Sequence, residues 1–127
     1  MQVFKRKDFA RWQSGEKLQE AALCQAAQEM EAGLIDADLG GFLYKKRVAR
    51  QGSGKSGGYR TLVSARMGSR YVFLHGFRKS DQANITQEER KALQFAGKVF
   101  LALPVDGLRK ATEAGVLLEV CCDDQTD

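Results

Sequence analysis

The chain has 127 residues, 43% of them hydrophobic and 28% charged, and we expect one globular domain spanning residues 1–127. Its net charge of +4 is small, so the net charge alone does not indicate a class of binding partner. The sequence has no run of 18 apolar residues and no apolar segment typical of a secretory leader. We therefore expect neither a membrane span nor export by that route.

The cysteine and histidine content argues against a disulfide framework and against a metal site. The cysteines are Cys24, Cys121 and Cys122, an odd number with one adjacent pair, and no CxxC spacing exists. His75 is the only histidine, so a zinc site would lack a second imidazole. These features predict free thiols in a reducing compartment, the cytoplasm, and no metal or other cofactor.

The first third of the chain is predicted to be mainly helical. Residues 1–13 favour a short extended piece, followed by a helical turn or two that carries Phe9 and Trp12. Apolar residues then recur every four positions in an Ala- and Glu-rich segment. This pattern predicts one amphipathic helix over residues 15–33, with Ser14 as its N-cap and its apolar stripe in the core.

The middle of the chain is predicted to form three strands, at residues 42–49, 59–67 and 70–77. A glycine-rich loop separates the first two, and Gly68-Ser69 is a two-residue turn between the second and third. This arrangement predicts antiparallel pairing of neighbouring strands.

Side chains alternate across a strand, so the faces of the strands can be predicted. In the first strand Lys45 and Arg47 should share one face, and Lys46 should lie on the other. In the third strand, the alternation places His75 on the same face as Phe73. The remaining residues on that predicted face are Tyr71 and Phe77, opposite Val72 and Leu74.

The last third of the chain is predicted to hold two helices and a strand. Thr86 and Glu89 match a capping box at the start of a helix that Pro104 ends. A short helix over residues 106–114 and a strand over residues 116–120 follow. The whole order predicts an α+β fold, a small curved antiparallel sheet with helices packed on one face.

Half of the cations lie in residues 43–79, a stretch without any Asp or Glu. Clustered cations repel one another, and they favour phosphate-rich partners through counterion release. Aromatic residues between them could stack on bases. The stretch therefore predicts a surface for a polyanion, and RNA is the favoured partner.

Two features of this stretch argue against a nucleotide-hydrolysing P-loop and against a nuclease mechanism that uses two histidines. Gly54-Lys55-Ser56 lacks the glycine that a P-loop requires five residues earlier, since that position is Ala49. The favoured interpretation is a flexible loop that carries a cation. His75 stands alone, which excludes a mechanism with two histidines, and a half-buried histidine with satisfied hydrogen bonds is expected there rather than a proton donor.

The segments LGGFLYKKRVARQGSGKSGGYRTL, YVFLHGFRKSDQANIT and QEERKALQFA together resemble the RelE/HigB-type toxins of bacterial type II toxin–antitoxin systems, and most of all the HigB-2-like branch. The resemblance implies a compact α+β fold. It also implies a ribosome-dependent endoribonuclease that cuts mRNA, contacts rRNA and is neutralised by a cognate helix-turn-helix antitoxin. Operator DNA would be bound only through that antitoxin.

The resemblance also implies roles for individual cations. Arg60 would clamp the phosphate, Arg78 or Lys79 would face the leaving group, and Lys45 could act as a base. Further RNA contacts are assigned to Arg47, Lys46, Arg50, Lys55 and Tyr59. Arg66 and Arg70 are expected to contact rRNA or to face water.

The residues leave two alternatives to an enzyme open. No residue of this sequence matches the C-terminal Tyr or His that some of these toxins use for proton transfer. A non-catalytic RNA-binding module, or a module that binds an acidic antitoxin segment, would use the same cations.

Overall fold

The computed structural model of the protein describes residues 1–49 and 58–122. The elements occur in the order β1 (Gln2–Arg6), α1 (Lys7–Ser14), α2 (Glu20–Glu31), β2 (Ala37–Asp38), β3 (Leu43–Val48), β4 (Tyr59–Arg66), β5 (Arg70–Arg78), α3 (Gln87–Ala102), α4 (Val105–Glu113) and β6 (Leu117–Glu119). This order confirms the α+β class.

The strands form one open sheet in the order β2-β3-β4-β5-β1-β6. The predicted antiparallel pairs β3–β4 and β4–β5 form its centre. The sheet is mixed rather than purely antiparallel, because β1 runs parallel to β5. Val3 and Phe4 of β1 are buried, which suits a strand that is covered on both faces between β5 and β6.

Helices cover both faces of this sheet, whereas the sequence predicted them on one. On one side, here the α1/α2 face, Phe9, Leu23 and Met30 pack with Val63 and Phe73. On the other, the α3 face, the packed residues come from α3 and α4 and from the central strands: Leu93, Leu101, Leu108, Leu62, Val72 and Leu74. Both sets of β5 side chains are therefore buried, and alternation alone does not say which set faces which helices.

Two helices replace the single helix predicted over residues 15–33. Gly15 caps α1, Ser14 is its last residue, and α2 begins only at Glu20. The connecting segment is held by tertiary contacts: Leu18 is buried, and the Lys17 amide donates to the Tyr59 hydroxyl at 2.9 Å. Long-range contacts thus override a local helical pattern.

A β-bulge interrupts the pairing of β4 with β5. Leu62 lies opposite His75, yet the next residue of β4, Val63, lies opposite Phe73. Leu74 is the extra residue, so Leu74 and His75 both lie on the α3 face. The prediction that His75 and Phe77 share a face with Tyr71 and Phe73 is therefore wrong, and Phe77 packs in the core beneath α3.

The predicted capping box of α3 is confirmed. The Glu89 amide donates to Thr86 Oγ1 at 3.1 Å, and the Thr86 amide donates to Glu89 Oε1 at 2.8 Å. The helix ends at Ala102, before Pro104, as predicted. Gly97 faces Ser64 so closely that a side chain at position 97 would overlap the serine, and α3 therefore lies directly on β4.

Cys24 and Cys122 form a disulfide with a Cα–Cα distance of 5.4 Å, and Cys121 is free and exposed. The prediction of three free thiols is wrong. The two half-cystines are 98 residues apart, and the fold brings them together where α2 and the end of the chain pack against one core. Cysteine spacing carries no information about such a pair.

None of the helices in the described ranges is long and apolar enough to cross a membrane.

Candidate functional site

Four polar side chains and one aromatic ring form two rows across the α3 face. Lys45 and His75 lie in one row, on either side of Leu62. Arg47, Arg60 and Phe77 lie in the next row, towards the base of the glycine-rich loop. Adjacent strands are about 4.8 Å apart, so three neighbouring strands bring these groups within reach of one substrate.

Asn84 joins the first row from the segment that leads into α3. Lys45 Nζ donates to Asn84 Oδ1 at 2.9 Å, and both residues retain contact with solvent. The ammonium group is thereby held beside the N-terminal end of α3, in a position to take part in binding an anion on this face.

Arg60 and Arg47 occupy the same row in different states. Arg47 is exposed and paired with Asp36 through an Nε–Oδ1 distance of 3.3 Å. Arg60 is partly buried, and its enclosed Nη1 has no hydrogen-bond partner within the described ranges. Nη1 is closed off, so a phosphate would meet the N–H groups of this planar guanidinium that are not enclosed, a geometry that allows two parallel hydrogen bonds.

His75 is partly buried, and its Nε2 is enclosed without a hydrogen-bond partner among residues 1–49 and 58–122. The predicted satisfied histidine is therefore not what the structure contains. Burial lowers the pKa of His75, the negative charge of Glu89 opposes this shift, and the positive charge of Arg6 adds to it. The imidazole is consequently neutral at pH 7.

Arg6 is a cation of this face that the sequence did not indicate. It ends β1, outside the cationic stretch, and the parallel pairing of β1 with β5 brings it beside the bulge. Its Nε donates to the carbonyl oxygen of Leu74 at 2.5 Å. No local pattern could have identified it, because its position depends on that long-range pairing.

Arg78 does not belong to this group. It lies opposite Tyr59, on the α1/α2 face, because the bulge shifts the alternation of β5. Its Nε lies 3.6 Å from Glu16 Oε1 and 3.1 Å from Asp81 Oδ2. The structure thus places Arg78 on the face opposite Arg60, and the role predicted for Arg78 or Lys79 at the leaving group stays a prediction.

Lys46 and Tyr59 have structural roles. Lys46 is 6% exposed, and its Nζ lies 2.8 Å from Glu29 Oε1. Tyr59 is fully buried, with its ring against Trp12. Neither side chain has a free surface for RNA in this structure, which therefore does not support these two predicted contacts. The alternation of side chains predicted that Lys46 and Lys45 lie on opposite faces of the sheet, and the structure confirms this.

The other predicted residues fall in three places. Lys79 is exposed in the turn after β5. Arg50 and Lys55 lie outside the described residues. Arg70 is partly buried, and its Nη1 donates to the carbonyl oxygens of Phe100 and Leu103, each at 2.9 Å.

A cavity of about 340 Å³ opens at the edge of β3, where Ala49 and Gly58 mark the two ends of the glycine-rich loop. Arg47 and Arg60 line it together with the acidic residues Glu29 and Asp36. The hydrogen bond from Lys46 lowers the pKa of Glu29, which keeps this carboxylate ionised. The charges that line this cavity largely compensate one another.

The fold and these two rows define a small α+β protein with a cationic sheet face beside the start of a helix. The family model described as the RelE toxin of the RelE / RelB toxin-antitoxin system matches residues 1–120. The chain therefore belongs to the RelE toxin family, the toxins of toxin–antitoxin systems. A search of curated proteins finds no match.

Proposed function

We propose that this chain is a ribosome-dependent mRNA endoribonuclease of the HigB-2-like branch, formed by a single domain over residues 1–127. It acts in the cytoplasm, on mRNA held by the ribosome, and it contacts rRNA as well as message. The observation that carries the proposal is the convergence of Lys45, Arg47 and Arg60 on one sheet face.

The proposed reaction is attack of a ribose 2′-OH on the adjacent phosphate, without a metal ion. Negative charge develops on the phosphoryl oxygens and on the leaving 5′-oxygen. Arg60 binds the phosphoryl oxygens, and Lys45 lies on the same face to stabilise the developing charge. Arg47 and Lys79, both exposed, contact the RNA backbone on either side.

Arg60→Ala tests this assignment, with Arg66→Ala as the matched control. Arg66 lies on the same strand, is exposed, and is roughly 20 Å from Arg60 at about 3.3 Å per residue. Cleavage of a defined message by translating ribosomes, measured by mapping 5′ ends, should fall about 10²–10³-fold for Arg60→Ala. It should be unchanged for Arg66→Ala. A folded Arg60→Ala protein that cuts at the wild-type rate would contradict the assignment.

A non-catalytic RNA-binding module is the second candidate, and the ion pair of Arg47 with Asp36 favours it, since a partly neutralised face need only bind. That candidate predicts salt-sensitive association with ribosomes and no new 5′ ends at any protein concentration. The same mapping experiment with wild-type protein distinguishes the two candidates.

The antitoxin is proposed to be a helix-turn-helix protein that alone contacts operator DNA. We place part of its contact on the outer side of α3, where Phe95 is 73% exposed and Val99, one turn later, is 46% exposed. Lys91 and Lys98 flank this apolar stripe. An amphipathic antitoxin segment with acidic flanks would complement both features.

A further inference from the structure

The bulge at Leu74 changes the face on which His75 lies. In an uninterrupted strand His75 would follow Tyr71 and Phe73 and point towards α1 and α2. The extra residue instead places it opposite Leu62, in the row of Lys45. Bulges often occur beside active sites, where they redirect a side chain.

One ring nitrogen of His75 is buried without a hydrogen-bond partner within the described residues. Its ring packs at 5.8 Å from the Phe77 ring, and the enclosed Nε2 has no hydrogen-bond partner in the part of the chain that the structure describes. Folded proteins seldom leave a buried ring nitrogen without a partner, and such exceptions require an explanation. Nε2 itself is closed off from a substrate, but the ring is only partly buried and Nδ1 is not among the enclosed atoms, so Nδ1 is the nitrogen that a substrate hydroxyl can approach.

Glu89 and Arg6 are the charged groups that act on the pKa of this imidazole, and three further cations lie on the neighbouring strands of the same face. Arg6 comes from β1, Lys45 and Arg47 from β3, Arg60 from β4 and Glu89 from the first turn of α3. Only Glu89 favours the protonated form. Its carboxylate is engaged in the capping box and accepts a bond from Gln82 Nε2 at 3.4 Å. Burial, followed by the charge of Arg6, lowers the pKa of His75 against the opposing effect of Glu89, which favours an unprotonated ring that can accept a proton.

The other groups of the face are less suited to take a proton. Lys45 Nζ donates to Asn84, an arginine does not deprotonate, and Glu89 holds the end of α3. We propose that His75 is the general base of the endoribonuclease reaction and accepts the proton of the attacking 2′-OH. This inference rests on the proposed function.

The proposed step transfers a phosphoryl group and protons, and nothing is oxidised or reduced. The 2′-oxygen forms a bond to phosphorus while its proton passes to the imidazole. The bond from phosphorus to the 5′-oxygen breaks, and that oxygen takes a proton from water. The products are a 2′,3′-cyclic phosphate and a 5′-hydroxyl end, and the imidazolium then returns its proton to solvent. Arg60 stabilises the phosphoryl oxygens throughout.

The test is single-turnover cleavage of a ribosome-bound message by wild-type protein, His75→Gln and His75→Ala, from about pH 5 to pH 9. Wild-type cleavage should slow on the acid side, as the imidazole becomes protonated. His75→Gln should cut at least about 100-fold more slowly and lose this dependence. Added imidazole should restore cleavage by His75→Ala, whereas a merely structural role would not be rescued by it.

Thermal unfolding and ribosome co-sedimentation of each variant serve as controls. If wild-type protein cuts and His75→Gln cuts equally fast with the same pH profile, His75 is not the base and the proposed function stands. If the His75→Ala loss persists in imidazole, or is matched by lost ribosome binding, the proposal for His75 is also overturned. If wild-type protein produces no cut at all, the proposed function itself fails.

Discussion

Cations that look alike in the sequence have different roles in the structure. Lys46 forms a buried ion pair with Glu29, Arg70 binds the end of α3, and Arg60 is partly buried with an enclosed Nη1 that has no partner within the described ranges. Alternation correctly placed Lys45 and Arg47 on one face, because β3 has no irregularity. It could not place Arg78, because the position of a bulge is not encoded in the alternation that it interrupts.

Arg70→Ala should destabilise the fold. Its guanidinium donates to the Phe100 and Leu103 carbonyls at the end of α3; without it the Leu103 carbonyl loses this partner, while the Phe100 carbonyl keeps the bond from the Leu103 amide at 3.4 Å. We expect the free energy of unfolding in urea to fall by about 1–3 kcal/mol. The exposed neighbour across the hairpin, Arg66, is the control, and Arg66→Ala should change stability by less than about 0.5 kcal/mol. Equal effects of the two changes would show that the helix-end contact contributes nothing.

At the scale of single elements, α3 was the best predicted. Its start follows from the Thr86 capping box and its end from Pro104, both of which are local signals. The close packing of α3 on the sheet depends instead on Gly97 facing Ser64, and these two residues are 33 positions apart in the sequence. The break between α1 and α2 was missed for a similar reason, since the contacts that hold it come from β4.

Phe95→Ser should weaken binding of the antitoxin without affecting cleavage. Phe95 is the most exposed aromatic side chain on α3 and lies on its outer side, so its loss removes apolar contact area at no cost to the core. Truncating an aromatic hot spot costs about 2 kcal/mol or more, which corresponds to roughly 30-fold weaker binding in calorimetry.

Val105→Ser is the matched control for Phe95→Ser. Val105 is 82% exposed but belongs to α4, outside the proposed stripe. Its replacement should leave antitoxin affinity within about twofold. If Val105→Ser weakens binding as much as Phe95→Ser, or if neither change has an effect, the proposed stripe on α3 is not the docking surface.

At the scale of the whole molecule, the sequence predicted the class of the fold but not its layering. The strands and most of the helices follow from local patterns. The parallel pairing of β1 with β5 and the second helical layer follow from contacts between distant segments. Arg6 reaches the candidate site only through this topology, which is why the cationic stretch did not reveal it.

Reduction of Cys24–Cys122 should lower stability while leaving the site intact. The bond closes a loop of about 98 residues and joins α2 to the end of the chain. Cys24→Ser should lower the free energy of unfolding by about 2–4 kcal/mol under non-reducing conditions. Cys121→Ser, which removes the exposed thiol next door, is the control and should unfold like the wild type. If Cys24→Ser and wild type unfold identically without reductant, the disulfide does not contribute to stability.

The bulge at Leu74 also bears on how the length of this hairpin can vary. His75, Gly76 and Phe77 pair with β4 as an uninterrupted ladder would, so a chain one residue shorter at position 74 would leave each of them pointing as it does now. Gly76 would still lie under Trp12, where no side chain fits. The loss would be confined to one buried leucine and to the carbonyl that holds Arg6. Deletion of Leu74 should therefore leave the faces of the other β5 residues unchanged and cost the packing of one buried leucine, which thermal unfolding of the deletion variant would measure.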